Sequence, residues 1–158
     1  MSDRHDPPRM IDSVLTVCTG NICRSPLGAA LLRAGLGTDR MRIASAGIGA
    51  RAGAPAYTTT LEIARANGLD LEDHVARQFT ASLGQKHSLI LAMNTGHRHA
   101  MMETAPQLSG RIMLFDHWTG AAGIPDPYGH ARAIHEDVFA RLEMAAQAWT
   151  QRLATGQP

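Results

Sequence analysis

The segment Cys18-Thr19-Gly20-Asn21-Ile22-Cys23-Arg24-Ser25 gathers a thiol, a fork-shaped cation and a hydroxyl in one short stretch. An apolar run leads into Cys18, and Ser25-Pro26 reads as a helix start. A loop that joins a strand to a helix N-terminus can turn consecutive amides of Thr19, Gly20, Asn21, Ile22, Cys23, Arg24 and Ser25 inward. Those amides and the helix dipole then hold an anion. Arg24 adds a planar guanidinium that matches two phosphate oxygens. An ordinary thiol is only a few per cent ionised at neutral pH and attacks poorly. The groups that hold a phosphate also favour a negative sulfur, so one loop can activate Cys18 and bind the transferring phosphoryl group. Gly20 is expected to supply the unusual dihedrals of the curl. Ser25 is expected to stabilise the leaving thiolate when a cysteinyl-phosphate breaks down.

Such a route needs an acid for the departing alkoxide and then a base for the attacking water. Asp126, in Ile124-Pro125-Asp126-Pro127-Tyr128, is the candidate, with two prolines stiffening its backbone. An aspartate beside prolines is equally a turn former. Cys18 and Cys23 also have the spacing of half a metal site, but no matching second pair occurs among the eight histidines, so neither metal nor cofactor is expected.

The elements that must position these residues follow from apolar patterning. Residues 14–17, 41–44, 89–93 and 112–115 are near-continuously apolar, as strands covered on both faces would be. Between them, Ser25 as N-cap and Pro26 at the first helical position open a helix carrying Leu27, Leu31 and Ala34, which Gly35 and Gly37 end. Residues 60–66 follow a Thr59/Glu62 capping box and stop at Asn67-Gly68. A third helix is expected over about residues 96–104, and a fourth carries the stripe Ile134, Val138, Leu142, Ala145, Trp149 and Leu153. Strands alternating with helices predict an α/β domain: a small, doubly wound, four-stranded parallel sheet with helices on both faces. Ligands bind such sheets at the carboxyl ends of the strands, where the Cys18 loop lies. The long Gly- and Pro-rich stretch 116–131 is expected to reach the same edge and to be functional.

Composition limits the alternatives. A chain of 158 residues with 44% apolar residues and mean hydropathy −0.14 is read as a single domain over residues 11–153, with a disordered tail at 1–10 and a short tail at 154–158. No apolar run approaches the roughly 20 residues of a membrane span. A net charge of +1 argues against nucleic acid as a partner. Two cysteines exclude a disulfide scaffold and, with no secretion signal in the first residues, point to the reducing cytoplasm.

With VCTGNICRSP and PDPYG in this order and separation, the chain resembles the low-molecular-weight protein tyrosine phosphatases over most of residues 11 to 153. The resemblance implies Cys18 as nucleophile, Arg24 and the loop amides as phosphate site, and Asp126 as general acid. It also implies that Asn21, Ser45 and His74 brace the loop. PQLSGRIMLFDHW and a tryptophan in the last helix look like the bacterial branch linked to capsule or exopolysaccharide production, whose members act on the phosphorylated tail of a membrane tyrosine autokinase. A monomer or weak dimer is expected.

The chain departs from the family pattern at Gly28, at Asn94 and at Arg51, which stands where many members have an aromatic wall residue. Tyr128 is then the main surface for a phosphotyrosine ring, and Arg51 either attracts acidic residues flanking the target or is a solvated loop arginine. Cys23 is either a redox guard that closes a disulfide with the nucleophile or a packing residue. Arsenate reduction on the same fold is the main competitor, weakened because those enzymes relay through further cysteines and none follows Cys23. A phosphotyrosine-binding module without catalysis would need only the cradle.

Overall fold

The computed structural model describes residues 11–154. The tails expected at residues 1–10 and 154–158 lie outside them, except for Ala154, which belongs to the last helix. Four strands, β1 (Ser13–Cys18), β2 (Arg42–Gly47), β3 (Leu89–Ala92) and β4 (Ile112–Leu114), form one parallel sheet in the order β2-β1-β3-β4. Five α-helices lie between and after them: α1 (Arg24–Leu36), α2 (Thr58–Ala66), α3 (Ala81–Gln85), α4 (Thr95–Thr104) and α5 (Arg132–Ala154). A 3-10 helix, Pro106–Arg111, precedes β4.

The period-two alternation of the strands divides the interior. Val14, Cys18, Leu89, Leu91 and Met93 pack with residues of α1 and α5, whereas Leu15, Val17, Ile90, Ala92 and Ile112 pack with Met101, Ala105 and Leu108 on the other face. Both faces are therefore covered, which explains the unbroken apolar runs. Trp149, fully buried on α5, donates its Nε1–H to the Phe115 carbonyl at 2.7 Å and ties the last helix to the end of β4.

Several local expectations give way to tertiary contacts. Strand β2 starts at Arg42 and runs on to Gly47, because its register with β1 pairs Thr16 with Ser45 and Cys18 with Gly47. Ser25 is not the cap of α1: the N-cap is Cys23, and the Ser25 hydroxyl is drawn into the loop beside Cys18. Gly37 closes α1 with φ of 76°, while Gly35 lies within it, where a Cβ would come within 2.6 Å of Thr150 Oγ1 on α5. Helix α2 begins at Thr58 without the Thr59/Glu62 box, because the Tyr57 N–H donates to the Ile22 carbonyl at 2.9 Å and sets the entry point. On α5 the stripe from Val138 to Leu153 is buried, but Ile134 is exposed and His135 takes the buried place. Helix α3 and the 3-10 helix were not expected.

Candidate active site

Strand β1 ends at Cys18, which is buried at the floor of a cleft of about 240 Å³. From there the chain curls to α1, and its carbonyls turn outward one after another. Those of Cys18, Thr19 and Gly20 accept from the N–H groups of Ile48, Gly49 and Arg51 at 3.0 Å each, and that of Ile22 accepts from Tyr57. The Asn21 carbonyl accepts from His74 Nε2 at 2.7 Å, and that of Cys23 from Leu27 N–H. All peptide bonds among the described residues are trans, so each outward carbonyl leaves the next amide N–H pointing inward. Six consecutive peptides thus form a ring of donors around the space above the sulfur, an anion cradle continued by the start of α1.

The residue that takes the left-handed turn is Asn21, with φ of 59°, and not Gly20 as expected. Asparagine tolerates this region because its side chain bonds locally, and here every polar atom of that side chain is used. Asn21 Nδ2 donates to Ser25 Oγ at 2.8 Å and to Ser45 Oγ at 2.9 Å, and Oδ1 accepts the Arg77 N–H at 2.9 Å. Ser45 and His74 therefore both meet the loop through Asn21, and burial holds the His74 pKa below its ordinary value. Gly47 is a requirement that patterning did not reveal: a Cβ there would lie 2.3 Å from the Thr19 carbonyl oxygen.

Ser25 Oγ is 2.9 Å from Cys18 Sγ. Arg24 is buried and donates through Nη1 to the Ile124 carbonyl at 2.9 Å, which aims its other nitrogen toward the cleft. Nη2 stands 3.7 Å from Asp126 Oδ2. The segment carrying Asp126 is pinned just before it: Asp116 Oδ2 accepts the Gly123 N–H at 2.8 Å, and the Ile124 N–H donates to the Met93 carbonyl at 2.8 Å. Asp126 lines the cleft with its carboxyl exposed, and its Oδ1 accepts the Tyr128 N–H at 3.1 Å. The turn-forming and cleft-facing readings of this aspartate therefore coexist.

Arg51 and Tyr128 face each other across the mouth, with the guanidinium 4.8 Å from the ring centroid. Tyr128 leans on Tyr57, with centroids 5.0 Å apart. Cys23 packs with Ile22 and Ala76 behind the loop, and burial pushes its thiol up to about 11. Both cysteines are free. Asn94 caps α4 by accepting the His97 N–H, and Gly28 lets α1 sit close to the sheet, where a Cβ would meet Met93 Cε at 3.1 Å. No group of three or more histidine, cysteine, aspartate or glutamate residues suited to a metal occurs among the described residues.

Comparison with known proteins agrees with this geometry. A family model described as low molecular weight phosphotyrosine protein phosphatase matches residues 13–157. The low molecular weight protein-tyrosine-phosphatase Wzb of Salmonella typhimurium is 40% identical over 148 residues, covering 94% of this chain and 98% of its own. Etp of Escherichia coli strain K12, of the same description, is 41% identical over 143 residues, covering 90% and 95%. Among solved structures, Vibrio vulnificus Wzb in complex with benzylphosphonate superposes with a TM-score of 0.87 at 38% identity, covering 90% of this chain and 99% of that one.

Proposed function

The chain belongs to the low molecular weight phosphotyrosine protein phosphatase family and is a protein-tyrosine phosphatase; we propose that it works through a phosphoenzyme on Cys18. The observation that carries this reading is the ring of inward amides closed over one sulfur, with Arg24 on the same loop and Asp126 at the mouth. In the first step the Cys18 thiolate attacks phosphorus and the P–O bond to the tyrosine breaks. The amides and Arg24 hold the three equatorial oxygens. Asp126 gives its proton to the leaving phenolate oxygen. In the second step the Asp126 carboxylate takes a proton from water, the water oxygen attacks phosphorus, and the S–P bond breaks. The electron pair of that bond returns to sulfur, and the Ser25 hydroxyl donates a hydrogen bond to the thiolate so formed. Phosphate and the resting enzyme result, with no metal in the sequence.

The depth of the cleft favours an aromatic phosphate, since the sulfur lies at its floor and Tyr128, backed by Tyr57, offers a ring face at the rim. A structural relative bound to benzylphosphonate, an aromatic phosphonate, supports that reading. Arg51 is positioned to meet acidic residues beside the target tyrosine. Replacing Arg51 by Ala should lower turnover of an acidic phosphopeptide more than that of a small aryl phosphate, and equal losses would exclude a peptide contact.

We further infer that the target is the phosphotyrosine-bearing tail of a membrane tyrosine autokinase in exopolysaccharide or capsule production, and that the enzyme acts in the cytoplasm. Two free thiols, one of them required for turnover, suit a reducing compartment. No helix among the described residues is long and apolar enough to cross a membrane. Cys23 is proposed as a redox guard of Cys18. If peroxide-treated Cys23→Ser enzyme regained as much activity with added thiol as the parent, protection would be excluded. The decisive assay for the function is phosphate release from phosphotyrosine, with chelator present, by the parent, Cys18→Ser and Asp126→Asn proteins. Loss of all activity in the first variant and a drop of about 10²–10⁴ in kcat in the second are expected; undiminished turnover by Cys18→Ser would refute the reading.

A further inference from the structure

His97 stands in the first turn of α4, 4% exposed, and the steps above give it no task. Its Nε2 lies 2.8 Å from Thr19 Oγ1, whereas its Nδ1 is buried with no partner among the described residues. Asn94 accepts the His97 N–H at 2.9 Å and fixes the backbone that carries the ring. The imidazole is neutral at physiological pH, because burial and then the Arg24 charge push its pKa down to about 4, against a weaker opposing pull from Asp126. A neutral imidazole has one N–H. Orphaned N–H groups are rarer in protein interiors than orphaned acceptors, so the hydrogen belongs on Nε2, where it donates to Thr19 Oγ1. The threonine hydroxyl then has an acceptor position occupied and keeps its own hydrogen to give. Thr19 is exposed, lines the cleft and follows the nucleophile directly.

We propose that His97 is a positioning residue that orients the Thr19 hydroxyl as a further hydrogen-bond donor to the phosphoryl group on its way to and from Cys18. The inference rests on the Cys18 phosphoenzyme reading. Charge on the equatorial oxygens of the transferring group is what a fixed donor meets, and a donor held by a buried partner needs no reorganisation when that charge shifts. Its contribution therefore lies in turnover more than in binding.

The test is steady-state kinetics on a phosphotyrosine peptide for the parent, Thr19→Val, Thr19→Ser, His97→Gln, His97→Leu and the Thr19→Val/His97→Leu double variant, with Cys18→Ser as control. Thr19→Val should lose about tenfold in kcat with KM changed by less than about threefold. Thr19→Ser, which keeps the hydroxyl, and His97→Gln, which keeps a side-chain N–H, should stay within about threefold of the parent. His97→Leu should lose as much as Thr19→Val, and the double variant no more than either. Thr19 is exposed and valine has its shape, so parental kcat in Thr19→Val refutes the proposal even if a buried His97 variant fails to fold. Parental kcat in Thr19→Val, or a double variant that loses the product of the single losses, overturns the proposal. Either result beside an inactive Cys18→Ser leaves the phosphoenzyme reading standing, whereas turnover by Cys18→Ser removes the basis of both.

Discussion

Ser25 has one hydroxyl hydrogen and two acceptors within reach, Cys18 Sγ at 2.9 Å and the Ala46 carbonyl at 3.2 Å. Asn21 Nδ2 already donates to the oxygen, so the hydrogen is the only part of this group free to respond to the sulfur's charge. A thiolate is the stronger acceptor, and the demand is greatest when the S–P bond breaks. Ser25→Ala should therefore slow phosphoenzyme breakdown by about 10–100-fold while leaving its formation faster, which pre-steady-state measurement would show as a burst of released tyrosine; a uniform slowing without a burst would contradict this role. The two cysteines should differ in the same direction as their surroundings. Cys23, held up to about 11 by burial, is a thiol at pH 7, so iodoacetate at that pH should modify Cys18 alone by peptide mapping. Equal labelling of both would contradict that assignment.

At the scale of elements, the end of β2 and the start of α1 share one small volume. A Cβ at Gly47 would strike the Thr19 carbonyl, a backbone atom that cannot swing aside, so Gly47→Ala should distort the cradle and lower kcat/KM by about tenfold or more. Gly35→Ala puts its methyl against the Thr150 side chain instead, far from the cleft. It should cost about 1–3 kcal/mol in stability with kcat unchanged, checked by denaturant unfolding and kinetics together. The four strands and the helices around residues 25, 60, 100 and 145 were legible because burial on both sheet faces and a covered helix stripe leave direct marks in apolar spacing. That Cys18, Arg24 and Asp126 would meet in one cleft was legible because their types and neighbours are chemically specific. What patterning could not reveal was contact across the chain. Ser25 and Thr59 have the local form of caps, but the loop claims one and the Tyr57–Ile22 bond shifts the helix past the other. Ile134 and His135 exchange places because the ring of His135 stacks on Tyr57, with centroids 5.4 Å apart. Nothing around His97 in the sequence marks a histidine facing Thr19.

For the whole molecule, three buried histidines and the half-buried His74 set the acid limit. His74, His87, His97 and His135 all have pKa values lowered by burial, His97 to about 4, from an ordinary value of 6.5. The unfolded chain therefore binds more protons than the folded one below about 6.5. The stability contributed by these groups is complete above that pH and is lost as pH falls from about 6.5 toward about 4. Thermal unfolding across that range should show Tm falling steadily with acidity, with a smaller fall in His97→Gln; a flat profile would contradict the burial of these rings. The phosphoryl group must reside on Cys18 during turnover, and rapid quenching of the enzyme on a phosphotyrosine peptide, followed by mass spectrometry of the Cys18 segment, reads that directly. One phosphoryl group on Cys18 during turnover is predicted, absent from Cys18→Ser, which should also release no phosphate. Continued phosphate release by Cys18→Ser, or a phosphoryl group trapped on any other residue, would contradict it.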